Sequence, residues 1–341
     1  MTRVEARTVL ADHTTLRLGG PAREFVVAES TDDLVSAVRA ANEPVLLLGG
    51  GSNLVVADQG FAGAVLKIAT RGWRVDGSDV EVAAGQNWDE FVAAMVDAGF
   101  GGLECLSGIP GSVGATPIQN VGAYGCEVSD LLTSIECFDR RAGEVRTMSA
   151  AELGFAYRTS VLKGTESGIV LSVRFALRAD GLSAPIRYAE LARKLGVEPG
   201  ARVPAAAARE AVLELRRGKG MVLDPHDHDT WSAGSFFTNP VVAPDVLDRI
   251  PDEAPRYPMD GQSGQVKLSA AWLIEHAGFA KGHPGPGNRV SLSHKHTLAL
   301  TNRGSATTAD LLTLAREVRD GVRARFGVSL VPEPLLINCV L

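Results

Sequence analysis

The chain contains no apolar run approaching the ~18–20 residues that a membrane-crossing helix needs. Its opening residues, MTRVEARTVLADHTTLRLGG, lack the apolar core of a secretory signal. A cytoplasmic protein with no membrane partner is expected. Basic blocks are also missing: 34 Lys and Arg stand against 40 Asp and Glu, a net charge of −6. That balance offers a phosphate backbone nothing to hold, which argues against a nucleic-acid partner. Four scattered cysteines, Cys105, Cys126, Cys137 and Cys339, match no metal-ligand spacing and read as reduced structural thiols. His226-Asp227-His228-Asp229 and the pair His294 and His296 lack a third ligand at a persuasive spacing, so no metal is expected. No internal repeat or low-complexity tract is visible.

Glycine is plentiful, at 37 of 341 residues, and two loops concentrate it. Gly49-Gly50-Gly51-Ser52-Asn53 directly follows the apolar run Val45–Leu48. It is neither a GxGxxG fingerprint nor a P-loop, because no Gly-Lys-Ser/Thr follows. The second loop, Gly108–Gly125, reads GIPGSVGATPIQNVGAYG and carries no charged residue. Prolines at 110 and 117 stiffen it. Its glycines let backbone approach a ligand closely, its N–H groups can converge on an anion, and Ser112, Thr116, Gln119 and Asn120 can add hydrogen bonds.

Around these loops the apolar periodicity predicts alternating elements. Strands are expected at 23–28, 45–48, 54–56, 64–68, 79–83, 134–139, 144–148, 169–176, 296–301 and 335–341. Helices are expected after a Ser30 or Thr31 cap, over 88–98 with an Asn87 cap, and over 188–194, 205–217, 241–250, 270–276 and 309–325. The chain then divides into residues 1–70 and 71–182, each with one glycine loop, residues 183–330 as a third unit, and a terminal strand over 331–341.

Six segments, in order, carry a family resemblance: the two glycine loops; Tyr157-Arg158-Thr159-Ser160; Ala233-Gly234-Ser235-Phe236-Phe237-Thr238-Asn239-Pro240; Lys267-Leu268 leading into Ala271-Trp272-Leu273-Ile274; and Pro332-Glu333-Pro334. Together they resemble the UDP-N-acetylenolpyruvoylglucosamine reductase family over almost the whole chain. The tyrosine-bearing segments at 188 and 257 are similar to the form of that family with an extra substrate-covering loop.

The resemblance implies an α+β fold: a two-subdomain FAD-binding module of the vanillyl-alcohol-oxidase type (1–70 and 71–182), a C-terminal α+β substrate-binding domain (183–330), and a last strand returning to the FAD module with a catalytic glutamate. It implies non-covalent FAD, held by Gly49, Gly50, Gly51, Ser52, Asn53, Gly108, Ile109, Pro110, Gly111, Ser112, Gly114, Ala115, Gln119, Asn120, Gly122, Ala123 and Tyr124. NADPH would be the hydride donor and UDP-N-acetylglucosamine enolpyruvate the substrate, on a monomeric enzyme. Arg158 would support the substrate carboxylate with its planar fork, Ser235 would donate a proton, and Glu333 would be the catalytic glutamate, acting in its protonated form or through water. Tyr188, Arg217, Lys219, Asn239, Tyr257 and Lys267 would bind the nucleotide sugar, with Arg216 the alternative to Arg217. The chain departs from the family pattern at Val331, where another acid is expected, and at Pro334. Two other readings share the glycine loops: a flavin oxidase of the same superfamily, and a non-catalytic nucleotide-sugar binding protein.

Overall fold

Strands with alternating burial and helices with one apolar stripe make up most of the chain, which a computed structural model describes at residues 3–6, 8–41, 44–258 and 264–341. Two compact units result. The first joins Met1–Arg7, Arg23–Gly50 and Gly63–Gly218; the second joins Thr8–Ala22, Gly51–Ala62 and Lys219–Leu341.

The first unit holds two sheets. One has the strand order Arg3–Ala6, Ala22–Ala28, Phe61–Ile68, Val45–Leu48, with the last two strands parallel. Helix α1 (Thr31–Ala40) begins at Ser30, whose hydroxyl accepts the Asp33 N–H. Its Leu34 and Val38 pack on Val26, Ala28 and Leu66, and this cluster continues through Phe138, Ile169 and Leu171 of the second sheet. That sheet is antiparallel, in the order Glu144–Ser149, Leu132–Asp139, Gly168–Ala176, Asp79–Ala83, Trp73–Asp76. Helix α2 (Trp88–Asp97) is capped by Asn87, whose side chain accepts the Glu90 N–H. It lays Trp88 and Phe91 on Phe175, with ring centroids 5.9–6.2 Å apart and all three side chains fully buried.

Helices α3 (Ala189–Leu195) and α4 (Ala205–Gly218) join this same core through Leu191, Ala192, Ala205, Ala208, Ala211 and Val212. Arg209 on α4 grips Asp89 on α2 in a two-pronged ion pair, 2.6 and 3.0 Å. The division expected at residue 182 therefore falls at Gly218, because the small apolar face of α4 has its packing partners in the first unit.

In the second unit, helix α5 (Ala270–His276) is capped by Ser269. Helix α6 (Thr308–Phe326) carries a Thr307–Asp310 capping box and ends at Gly327, φ +72°. The α6 residues Leu311, Leu314, Ala315, Val318 and Val322 share a core with Phe236, Phe237, Leu273 and Ile274. Leu16, Leu18 and Val55 complete it, which is why residues 8–22 and 51–62 leave the expected 1–70 segment. The terminal strand Leu335–Ile337 pairs in parallel with Leu54–Val56.

Two expected elements differ. The helix expected over 241–250 is a strand, Val241–Val242, paired with Val266–Lys267, followed by a 3-10 turn, Pro244–Arg249. Two β-branched valines favour the pleated partner, and Pro244 leaves no upstream helical turn to continue. The strand expected over 296–301 is Leu300–Asn302, paired with Val290–Leu292; a turn closed by Ala299 N–H on the His296 carbonyl at 3.0 Å precedes it. Among the described residues no helix is long and apolar enough to cross a membrane.

The aromatic triple is the structural keystone of the first unit. Trp88→Ala should destabilise that unit by about 3–5 kcal/mol, read as an earlier urea midpoint in its unfolding transition. An unchanged midpoint would contradict this packing account.

Candidate active site

The strand Val45–Leu48 delivers Gly49 and Gly50 at its carboxyl end, the place where α/β sheets put ligands. There the two glycine loops touch backbone to backbone. A Cβ on Gly50 would lie 2.4 Å from the Gly111 Cα, and one on Gly49 would lie 2.5 Å from the Ser112 Oγ. Any side chain at either position would push the loops apart. The N–H groups of Gly50, Gly111 and Ser112 donate to no acceptor among the described residues, which leaves three donors where the two loops meet. This is the chemistry that suits a diphosphate, so the residues present fit the dinucleotide cofactor that the sequence implies.

The long loop is hooked onto the start of α2 and the strand before it. Trp88 N–H donates to Gly111, and Val113 and Gly114 N–H donate to Gln86 and Ala84, at 2.8–3.1 Å. A Cβ on Gly114 would meet Ala84 at 2.5 Å. Gly108 N–H donates to Asp89 at 2.6 Å. Burial alone would raise the Asp89 pKa, but the Arg209 and Gly108 hydrogen bonds outweigh it and hold the group below the usual carboxylate value. Ile109 and Pro110 lie between these hooks, and Ala115 closes the turn Val113–Ala115. Asn120 and Tyr124 adopt left-handed φ values of +47° and +50°, uncommon for residues with a side chain. The Asn120 side chain faces inward. It donates to Glu127 at 2.8 Å and accepts from Ser129 N–H at 3.1 Å, so its amide helps to shape the loop. Gln119 precedes it, and Gly122–Ala123 folds back on Cys126–Glu127 as a short hairpin.

Arg158 sits at the tip of a turn closed by reciprocal Ala156 and Thr159 backbone bonds of 3.2 Å. Its own φ is +53°, a strained value of the kind found at functional positions. Its Nη2 donates to the Gly122 carbonyl at 2.8 Å, and Ser160 Oγ donates to Ile118 at 2.7 Å. The Tyr-Arg-Thr-Ser segment is thus fastened to the glycine loop, and the guanidinium is fixed beside it. Tyr124 meets Tyr188 edge-on at 5.4 Å, and burial raises the Tyr124 phenol to about 12, so it stays protonated. Arg217 lies on the exposed face of α4, paired with Glu210 at 3.0 Å. The adjacent Arg216 is the one turned inward: burial lowers its pKa, while Tyr124 and Asp89 favour its charge. Of the two arginines named from the sequence, Arg216 has the surroundings of a site residue.

The second unit places the remaining candidates. Gly51, φ +64°, has no room for a Cβ, which would lie 2.0 Å from the His13 carbonyl oxygen. Ser52 follows in the same turn, and Asn53 accepts the Leu335 N–H at 3.0 Å. Ser235 and Glu333 are brought together by backbone pairing. Thr238 N–H donates to Val331, Glu333 N–H donates to Phe236 at 2.9 Å, and Phe237 bridges Pro332. The Ser235 hydroxyl makes no hydrogen bond among the described residues and sits partly exposed, next to the fully buried Phe236 and Phe237. Tyr257 and Lys267 are register partners, the ammonium 6.0 Å from the ring centroid. Lys219 is partly buried at the start of this unit. The Asn239 side chain accepts the Ala270 N–H at 2.9 Å, so its carbonyl oxygen serves α5 and only its amino end can face a ligand.

The histidine-rich segment proves to be an ion-pair knot. Asp229 accepts from His294 and Arg303 at 3.2 and 2.9 Å, Asp227 pairs with Lys295 at 2.5 Å, and His228 meets Trp231 edge-on. No group of three or more His, Cys, Asp or Glu placed to hold a metal occurs among the described residues.

Comparison with known proteins gives concordant matches. Residues 22–149 match the profile of an FAD binding domain, and residues 224–337 that of the UDP-N-acetylenolpyruvoylglucosamine reductase C-terminal domain. The UDP-N-acetylenolpyruvoylglucosamine reductase of Saccharopolyspora erythraea is 64% identical, covering 98% of this chain and 96% of that protein. The one from Thermobifida fusca is 55% identical with full coverage of both chains. The crystal structure of the Thermus caldophilus enzyme superposes with a TM-score of 0.70 at 29% identity, covering 99% of this chain and all of that one.

Asp89 gives the site a pH signature. Its native pKa is depressed, so its contribution is complete above the unfolded value of about 4 and is lost as pH falls through the lower native value. Asp89→Asn should therefore be less stable than the parent at pH 7, with the difference shrinking in acid. A difference that grows as pH falls would contradict the assignment.

Proposed function

Because the chain belongs to the UDP-N-acetylenolpyruvoylglucosamine reductase family, we propose that it reduces UDP-N-acetylglucosamine enolpyruvate to UDP-N-acetylmuramate with NADPH. It is an FAD-dependent oxidoreductase of peptidoglycan precursor synthesis. The observation that supports the residue-level reading is the backbone pairing of Phe236–Thr238 with Val331–Glu333, which joins the serine-bearing segment, whose Ser235 hydroxyl has no hydrogen bond among the described residues, to the glutamate-bearing one.

FAD, held by the two glycine loops, would supply the hydride chemistry that links NADPH to the β-carbon of the enol ether. The substrate's α-carbon then carries an electron pair, shared with the neighbouring carboxylate as an enolate. The residues must support two negative oxygens, deliver one proton and exclude water. Arg158 suits the first task, since a planar guanidinium can bond both oxygens as their charge grows. Ser235 suits the second: its O–H gives the proton to the α-carbon and the oxygen recovers one from solvent. A hydroxyl is a weak acid, but a carbanion-like carbon is a strong base. The buried rings of Phe236 and Phe237 close one side against water. An anionic Glu333 would oppose the enolate, so the role left to it is a hydrogen bond from the protonated acid or through a water molecule. Lys219, Lys267, Tyr188 and Tyr257 offer hydrogen bonds to the diphosphate and sugar, with Asn239 through its amino group.

Anaerobic stopped-flow absorbance separates these roles. NADPH should bleach the flavin band near ~450 nm, characteristic of the cofactor's chemistry, and the enolpyruvyl sugar should restore it. Ser235→Ala should leave the bleaching rate intact and slow restoration by roughly 10²–10⁴, the usual worth of a positioned proton donor. Equal loss in both steps would remove Ser235 from the proton-donor role. Restoration by oxygen but never by the enolpyruvyl sugar would transfer the reading to an oxidase.

Arg158→Lys keeps the charge and loses the fork. Turnover should drop at least tenfold, about 1.4 kcal/mol of lost transition-state support. Near-normal turnover would argue against two-pronged binding of the carboxylate.

A further inference from the structure

Neither glycine loop carries a charged side chain: Gly49–Asn53 and Gly108–Gly125 contain no Lys, Arg, Asp or Glu. A diphosphate held only by peptide N–H groups would bring two negative charges into a neutral cradle. One cation nevertheless touches this cradle from behind. Lys67 lies near the end of the strand Phe61–Ile68, in register with Leu48 of the parallel neighbour. Its Nζ donates to the carbonyl of Gly49.

Three observations set Lys67 apart from an ordinary surface lysine. It is half-buried, and burial lowers its pKa, so the protein gives its charge little support. No carboxylate among the described residues pairs with it, although cations of the second sheet and its loops such as Arg74, Arg140 and Arg174 have acidic partners. Its hydrogen bond also falls on a consequential peptide. In a trans peptide the C=O of Gly49 and the N–H of Gly50 point in opposite directions. A donor fixed on that carbonyl turns the Gly50 N–H to the other side, where it has no acceptor among the described residues. The ammonium also polarises the peptide and strengthens that N–H as a donor.

We propose that Lys67 is a positioning residue and counter-charge for the diphosphate of the bound dinucleotide, acting through the Gly49–Gly50 peptide. This rests on the reading that Gly50, Gly111 and Ser112 hold the diphosphate. The half-buried ammonium has no carboxylate partner among the described residues, and the cofactor's diphosphate would provide one: a buried charge is tolerated when paired, and binding the anion completes the pair. Specificity follows as well, since a flavin without a diphosphate gains nothing from Lys67.

The test is equilibrium binding to the apo-protein, using FAD, riboflavin, ADP and adenosine as probes, with Lys67→Met, Lys67→Arg and Gly50→Val. Replacing Lys67 by Met should weaken FAD and ADP by roughly 10- to 100-fold, the worth of a hydrogen bond to a charged group. Riboflavin and adenosine should bind as they do to the parent, and the salt dependence of ADP binding should flatten. Lys67→Arg should recover most of the loss. Parent-like FAD and ADP affinity in Lys67→Met would overturn the proposal, as would an equal loss for adenosine and ADP, which would mark a merely structural lysine. If Lys67→Met does not fold, Lys67→Gln, which keeps a donor for the Gly49 carbonyl without the charge, must show the same ADP-selective loss. Failure of the cradle itself is separately visible: Gly50→Val would then bind FAD like the parent, whatever Lys67 does.

Discussion

The first unit is organised around one steric constraint, the direct contact of two backbones at Gly50 and Gly111. No Cβ fits between them, and every neighbouring feature acts to keep them there. The parallel strand pair presents Gly49 and Gly50, and Lys67 holds the Gly49 carbonyl. On the other side, Asp89, Gln86 and Ala84 anchor the long loop through Gly108, Val113 and Gly114. The anchors take up the Gly108, Val113 and Gly114 N–H groups and leave those of Gly111 and Ser112 available to a ligand. Site strength here comes from backbone placement, which a neutral loop can supply only when the scaffold beneath it is rigid.

The glycine loops themselves carry no charged side chain, and a cation stands beside the long one. Arg158 is fixed by a strained turn and by the Gly122 carbonyl, and a left-handed arginine persists only where its surroundings over-determine it. Ser235 and Glu333 owe their proximity to backbone pairing, not to any bond between their side chains. The apolar core under Phe236 and Phe237 holds that pairing. This division suits a reaction whose cofactor needs a fixed grip and whose substrate changes charge during the chemical step.

Much of this was legible in the sequence. Caps at Ser30, Asn87 and Ser269 follow from short polar side chains before apolar periodicity, and helix α5 spans the residues its pattern predicts. The glycine loops were legible because close approach demands glycine in specific places. What was missed depends on partners distant in sequence. The 241–250 segment looks helical until Val266–Lys267 offers the valines a strand. Helices α3 and α4 belong to the first unit because α4 packs beside α2, and no composition shift near residue 182 reports that. Arg216 and Arg217 cannot be told apart without the helix phase relative to its neighbours. Asn120 and Asn239 look like ligand amides, yet both use side-chain atoms to organise local backbone. Lys67 carried no signal at all, since a lysine near a strand end is ordinary until its register places it beside Gly49.

The most direct test of the account is a crystal structure with FAD bound. The account predicts diphosphate oxygens within hydrogen-bonding distance of the Gly50, Gly111 and Ser112 N–H groups, with the Lys67–Gly49 bond retained behind them. A diphosphate bound elsewhere, with those N–H groups facing water, would contradict it.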